Sequence, residues 1–128
     1  MEIWLRRALF ATAALNILGV LTFWPGIALG PHFFGLPQNA HPLYLAIIAA
    51  WILIFGAAYL YQALAPRIDR LFLAVGAAGK ASFVLIMLVF WLRGDIPALT
   101  ALSSLPDLLF AALFVAYLAR TRVALSPK

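Results

Sequence analysis

The sequence predicts an all-α integral membrane protein, an antiparallel four-helix bundle, and three observations carry that expectation. Hydrophobic residues make up 66% of the chain and charged residues only 10%, with a mean hydropathy of +1.06; a soluble domain carries about 25% charged residues. The apolar residues gather into four runs, at residues 5–24, 42–64, 71–92 and 97–118, each near the roughly 20 residues that cross a bilayer as a helix. The links between the later runs are too short for anything but antiparallel neighbours.

The first run follows M-E-I-W-L-R-R. It resembles a secretion signal, with Ala28, Leu29 and Gly30 as a candidate cleavage site, but the apolar core of such a signal is about 7–15 residues long. This run is longer and is expected to stay as a span. Residues 25–41 form an outer loop without a charged side chain that includes Ile27, Leu29, Phe33, Phe34 and Leu36. A segment this apolar is expected to lie on the outer leaflet or to fold as a lid over the mouth of the bundle. Its Gly and Pro residues argue against a long regular helix. The second and third runs are joined by A-P-R-I-D-R, and the third and fourth by R-G-D-I before Pro97. All four are apolar all round, as lipid burial produces, so periodicity adds little. No repeat or linker divides residues 1–128, which read as a single membrane domain.

Charge sets a direction. Arg6, Arg7, Arg67, Arg70, Arg120, Arg122 and Lys128 fall on one side of the four runs, and Arg93 alone on the other. By the positive-inside rule both termini face the cytoplasm. The net charge of +5 then belongs to headgroup contacts, and no nucleic acid is expected as a partner. Cysteine is absent, which excludes disulfides, thiolate metal sites and dithiol redox chemistry. His32 and His41 both lie in the outer loop. With no histidine inside a span, neither haem nor metal ligation is supported and no cofactor is expected.

One basic residue belongs to neither side. Lys80 sits in V-G-A-A-G-K-A-S-F, about 15 Å along its helix from Arg70 at 1.5 Å per residue. The same count puts Asn16 about 13 Å from Arg7 and Asp107 about 20 Å from Arg120. Three polar side chains from three helices therefore share one slab. A charge at the centre of a span costs roughly 2.5–3.5 kcal/mol, so it faces the bundle interior and finds a partner. Lys80 and Asp107 are expected to form an ion pair, as a structural fastener or as a ligand or proton site. Asn16 stands with them as a candidate, and hydrogen bonding between helices is its ordinary role. The small residues Gly76, Ala77, Ala78, Gly79 and Ala81 predict that the third helix makes the bundle's tightest contact.

Asp107 has two further readings. S-S-L-P-D is a helix-start signal with Ser104 as cap, which would leave residues 105–118, about 21 Å. Alternatively the fourth helix is broken at Pro106, with the half-helix N-terminus turned inward as at transporter sites. Trp4, Trp24, Tyr59, Tyr61 and Trp91 are expected mostly in aromatic belts at the membrane surfaces; Trp51 lies deeper, and either lines a cavity or packs.

Several motifs, N-I-L-G in the first span, G-L-P after the aromatic-bearing loop, G-A-A-G-K in the third span, then G-D-I-P and the Asp of the fourth, together resemble the small four-span bacterial membrane proteins grouped as DoxX-like or as domains of unknown function. The resemblance runs over most of the chain and implies a bundle in the bacterial inner (plasma) membrane; it brings no activity with it. Relatives often carry Asn before the fourth-span Asp, where this chain has Pro106.

The leading expectation is a non-catalytic bundle that holds a lipid or lipophilic small molecule beneath the outer loop, with Lys80 and Asp107 orienting its polar end. One alternative is a proton-coupled small-molecule transporter, usually a homodimer, in which Asp107 exchanges protons as its pairing with Lys80 breaks and reforms. Small multidrug transporters carry a Glu in the first span, whereas the only Glu here is Glu2. Another is an accessory subunit of a larger membrane complex. An intramembrane isomerase ranks last, because no second carboxylate or histidine joins the pair. The expected partners are thus the lipid bilayer, a lipophilic ligand, and either a second copy or a membrane complex.

Overall fold

A computed structural model of the chain describes residues 2–27, 34–37 and 39–122. Helices α1 (Ile3–Phe23), α2 (Pro42–Leu64) and α3 (Arg70–Leu92) are followed by a short α4 (Ala98–Leu102) and by α5 (Leu105–Arg120). Among the described residues, α1, α2, α3 and the interrupted segment Ala98–Arg120 are each long and apolar enough to cross a membrane. Ala28, Leu29 and Gly30, together with His32, Phe33 and Lys128, lie outside the described residues.

Local chemistry sets the helix ends. Pro42 opens α2 behind His41, whose ring Nδ1 accepts the Leu43 N–H at 3.1 Å. Asp69 caps α3 by accepting the Phe72 N–H at 3.1 Å, satisfying a donor that would otherwise be orphaned. The turn between them is held by Gln62, which donates to the Arg67 carbonyl at 2.7 Å and accepts the Asp69 N–H at 2.9 Å. In the fourth span, Pro106 has no N–H to give to the Leu102 carbonyl. The ladder resumes with the Leu108 N–H on the Ser104 carbonyl at 3.2 Å. Ser103 and Ser104 keep α-region dihedrals, so the span is interrupted rather than turned. Ser104, a candidate cap on sequence grounds, caps nothing: its hydroxyl donates backwards to the Ala101 carbonyl at 2.7 Å.

The helices run antiparallel, and arginines tie their ends together. Arg6, at the start of α1, donates to the Ala63 and Ala65 carbonyls at the end of α2. Arg70, at the start of α3, donates to the Leu118 carbonyl at 3.0 Å and to Thr121 at the end of α5. Arg120 pairs with Glu2. Each arginine of the first two sets satisfies carbonyls that the neighbouring helix leaves free at its negative end. The buried core lies towards this terminal end, around Leu5, Leu9, Tyr59, Ala63, Leu73 and Phe114.

The most extensive helix contact is between α1 and α2. The small residues of α3 do not give that helix the most extensive contact. Gly76 and Ala77 are buried, but Ala78, Gly79 and Ala81 are exposed, so the stripe is split between two faces of its helix.

Candidate functional site

Lys80 is the one charged side chain that the described bundle buries, at 6% exposure, and its Nζ donates to Asp107 Oδ1 at 2.9 Å. Asp107 stands in the first turn of α5 and is 22% exposed. The two backbone positions differ in depth by about 5 Å on the helical rise, and the lysine stem covers that offset. The helix interruption contributes as well: a carboxylate in a first helical turn meets the positive end of the helix dipole, a gain of roughly 0.3–1 kcal/mol when exposed and more when partly buried.

The ammonium also lies 5.2 Å from the centroid of the Tyr59 ring and 5.6 Å from that of Phe110. Aromatic faces attract a cation, by about 2 kcal/mol or more when desolvated. Tyr59 corrects an expectation. It is not in a surface belt but 2% exposed inside the bundle, with the Phe72 and Phe114 rings at centroid distances of 5.3 and 5.9 Å. Gly76 makes the room, since a Cβ there would come within 2.8 Å of the Tyr59 hydroxyl. Gly76 precedes Lys80 by four residues and shares its helix face, so the first glycine of G-A-A-G-K seats the ring that the ammonium rests against. The i, i+4 spacing marks a shared face of α3 but does not identify Tyr59 on α2, so no sequence signal pointed to that ring.

Towards the other end the packing opens into a cavity of about 450 Å³, within the roughly 300–1,000 Å³ typical of small-molecule sites. Its walls come from every span: Leu15 and Gly19 of α1, Trp51, Ile52 and Phe55 of α2, Gly79, Phe83 and Met87 of α3, and Leu102, Ser103 and Pro106 around the interruption. Phe34 and Leu36 of the outer loop also line it, and Lys80 and Asp107 supply its charged groups. Trp51, left open between cavity and packing by the sequence, borders the cavity and remains 66% exposed.

Asn16 borders the same space but bonds to neither member of the pair. Its amide donates to the Ile52 carbonyl at 2.9 Å, and a Cβ on Gly56 would lie 2.9 Å from the Asn16 Cβ. This close approach joins α1 to α2. In the loop, residues 34–37 fold over the bundle. The Phe34 carbonyl accepts a hydrogen bond from the buried Thr100 hydroxyl. Gly35, at φ +67°, sits where a Cβ would lie 2.9 Å from Pro97 Cγ and from Thr100 Oγ1, so both its conformation and its contact favour glycine.

Among the described residues, no three His, Cys, Asp or Glu side chains come together as a metal-binding group. The arrangement can orient a polar head in an apolar chamber or hold a proton on a carboxylate beside an amine. No protein-family model, curated protein or solved structure matches the chain.

Proposed function

We propose that the protein is a non-catalytic membrane bundle that holds a lipid or another lipophilic small molecule in the cavity between the Lys80–Asp107 pair and the Phe34–Leu36 segment. The observation that carries this reading is an intramembrane ion pair on the wall of a mostly apolar chamber of about 450 Å³. Ionisable residues within spans mark functional sites by default, and a pair that served only as a fastener would gain from having no void beside it. Asn16, Gly19, Leu36, Gly76, Lys80 and Asp107, all within the motifs that resemble DoxX-like proteins, border that chamber; membership of that group is part of the proposal. So is placement in a bacterial inner membrane with both termini cytoplasmic. It is supported by the basic residues at the terminal end, against Arg93 at the other.

The test uses Gly79, where an added Cβ meets nothing within 4 Å. Gly79 lines the chamber, so the Gly79→Phe side chain starts from open space and is expected to occupy part of it, without loss of helix propensity. Mass spectrometry of protein purified in mild detergent is expected to find a retained lipophile in the wild type and not in Gly79→Phe. Equal retention by both would refute the reading.

The helix interruption beside Asp107 favours a second reading, a proton-coupled transporter, because broken helices accompany coupling sites in such proteins. In that case a pH gradient would drive substrate flux into proteoliposomes, and Asp107→Asn would abolish it. No flux across a broad panel of lipophilic substrates would remove this reading.

A further inference from the structure

We infer that the occupant is an uncharged lipophile bearing a hydroxyl group, which binds by donating its O–H to Asp107 and accepting from Lys80. This inference rests on the lipophile reading above and narrows it to a chemical class.

Charge comes first. Among the described residues, Lys80 and Asp107 are the only charged side chains on the cavity wall, and they neutralise one another at 2.9 Å. A ligand carrying net charge would place it among apolar walls with no counter-charge, at a cost of several kcal/mol. Fatty-acid anions, phosphate-bearing lipids and ammonium-bearing amphiphiles are therefore disfavoured as classes.

The pattern of donors and acceptors comes second. Only Oδ1 of Asp107 is engaged by a described residue, and the side chain remains partly exposed at the cavity. An ionised carboxylate only accepts, so the group that meets its free oxygen must donate. Ethers, esters and ketones cannot. On the other side, the Lys80 ammonium has three protons and a single hydrogen-bond partner, Asp107, among the described residues. It can still donate to an oxygen. A hydroxyl is the smallest neutral group that donates and accepts at one atom, so it completes both halves of the pair. The Phe34 and Leu36 side chains, Trp51 and Phe83 then offer apolar contact to the rest of the molecule.

The experiment is a competition in phosphatidylcholine nanodiscs. Radiolabelled octadecan-1-ol is bound to the purified protein and displaced by unlabelled octadecan-1-ol, its methyl ether, octadecanoate or octadecylamine, with empty discs as background. The alcohol should compete at least ten-fold better than the ether, equivalent to about 1.4 kcal/mol, and ten-fold better than either charged probe. Lys80→Met leaves a net negative wall and should turn the preference towards octadecylamine; Asp107→Asn leaves a positive one and should turn it towards octadecanoate. Should either variant fail to fold, the wild-type order decides alone. An ether that competes as well as the alcohol, or octadecanoate that competes better, overturns the hydroxyl inference. In that outcome, loss of all binding in Gly79→Phe would leave the lipophile reading standing. Absence of binding by octadecan-1-ol overturns the hydroxyl inference; the lipophile reading falls with it only if the wild type and Gly79→Phe also retain a co-purified lipophile equally.

Discussion

The hydroxyl of Tyr59 on α2 lies so close to Gly76 on α3 that a Cβ added to Gly76 would stand 2.8 Å from it. Phe72 and Phe114 pack on the ring and the Lys80 ammonium lies against it, which limits its retreat. Gly76→Ala is therefore expected to destabilise by about 1–3 kcal/mol, the usual effect of overpacking. Gly79→Ala, one turn away in open space, should be neutral or stabilising by up to about 1 kcal/mol. Thermal unfolding in detergent, followed by circular dichroism, checks the pair; equal midpoints would mean that Tyr59 is not wedged.

Lys80 and Asp107 should behave as a unit. Removing one partner leaves a charge in an apolar environment, which costs about 3–5 kcal/mol for a buried pair and less here because Asp107 is partly exposed. Lys80→Met and Asp107→Leu should each lower the unfolding midpoint, and the double variant should recover much of the loss. A double variant whose loss equals the sum of the singles would show that the two groups do not interact.

Asn16→Ala removes the amide that donates to the Ile52 carbonyl across α1 and α2. Interhelical hydrogen bonds in membranes average about 0.6 kcal/mol and reach about 1.7, and a stability loss in that range is expected. Retention of a bound lipophile should not change in this variant. A selective loss of ligand with unchanged stability would move Asn16 from helix joint to ligand contact.

The hydroxyl of Thr12 in α1 is buried and, among the described residues, has no hydrogen-bond partner. Thr12→Val keeps the shape and removes the unsatisfied group, whose burial costs about 1–3 kcal/mol. The variant should unfold at a higher temperature than the wild type. A lower midpoint would mean that a bound water or a backbone carbonyl satisfies the hydroxyl.

Thr100 donates to the Phe34 carbonyl and so holds residues 34–37 over the cavity. Thr100→Val forfeits roughly 1 kcal/mol of hydrogen bonding, which should speed amide hydrogen exchange at Gly35 and Leu36 roughly five-fold on the same figure. Unchanged exchange would assign the hold to the Gly35 contact alone.

Much of this architecture was legible before any coordinates. Residues 42–64 match α2 as it forms, and Pro106 in the sequence already marks where the fourth span breaks. A proline's missing N–H and a run of apolar residues act locally, so neither depends on what the rest of the chain does. The pairing of Lys80 with Asp107 was likewise readable, because an amine and a carboxylate at similar depth have few other partners in lipid. The placement of Tyr59 was not. Its hydroxyl suits a membrane surface, and only Gly76 on another helix gives it an interior seat.

From the sequence alone came the number of crossings, their antiparallel order and the charges that must find one another. These follow from the cost of exposing peptide groups or charge to hydrocarbon, which composition and spacing already state. The tertiary structure alone decided that α1 and α2 make the largest contact, that the outer loop's residues 34–37 cover the bundle, and that a chamber opens beside the ion pair. Lipid and protein core are both apolar, so a helix that is hydrophobic on every side carries no mark of which face will be buried. That choice is made by the shapes of side chains meeting across helices.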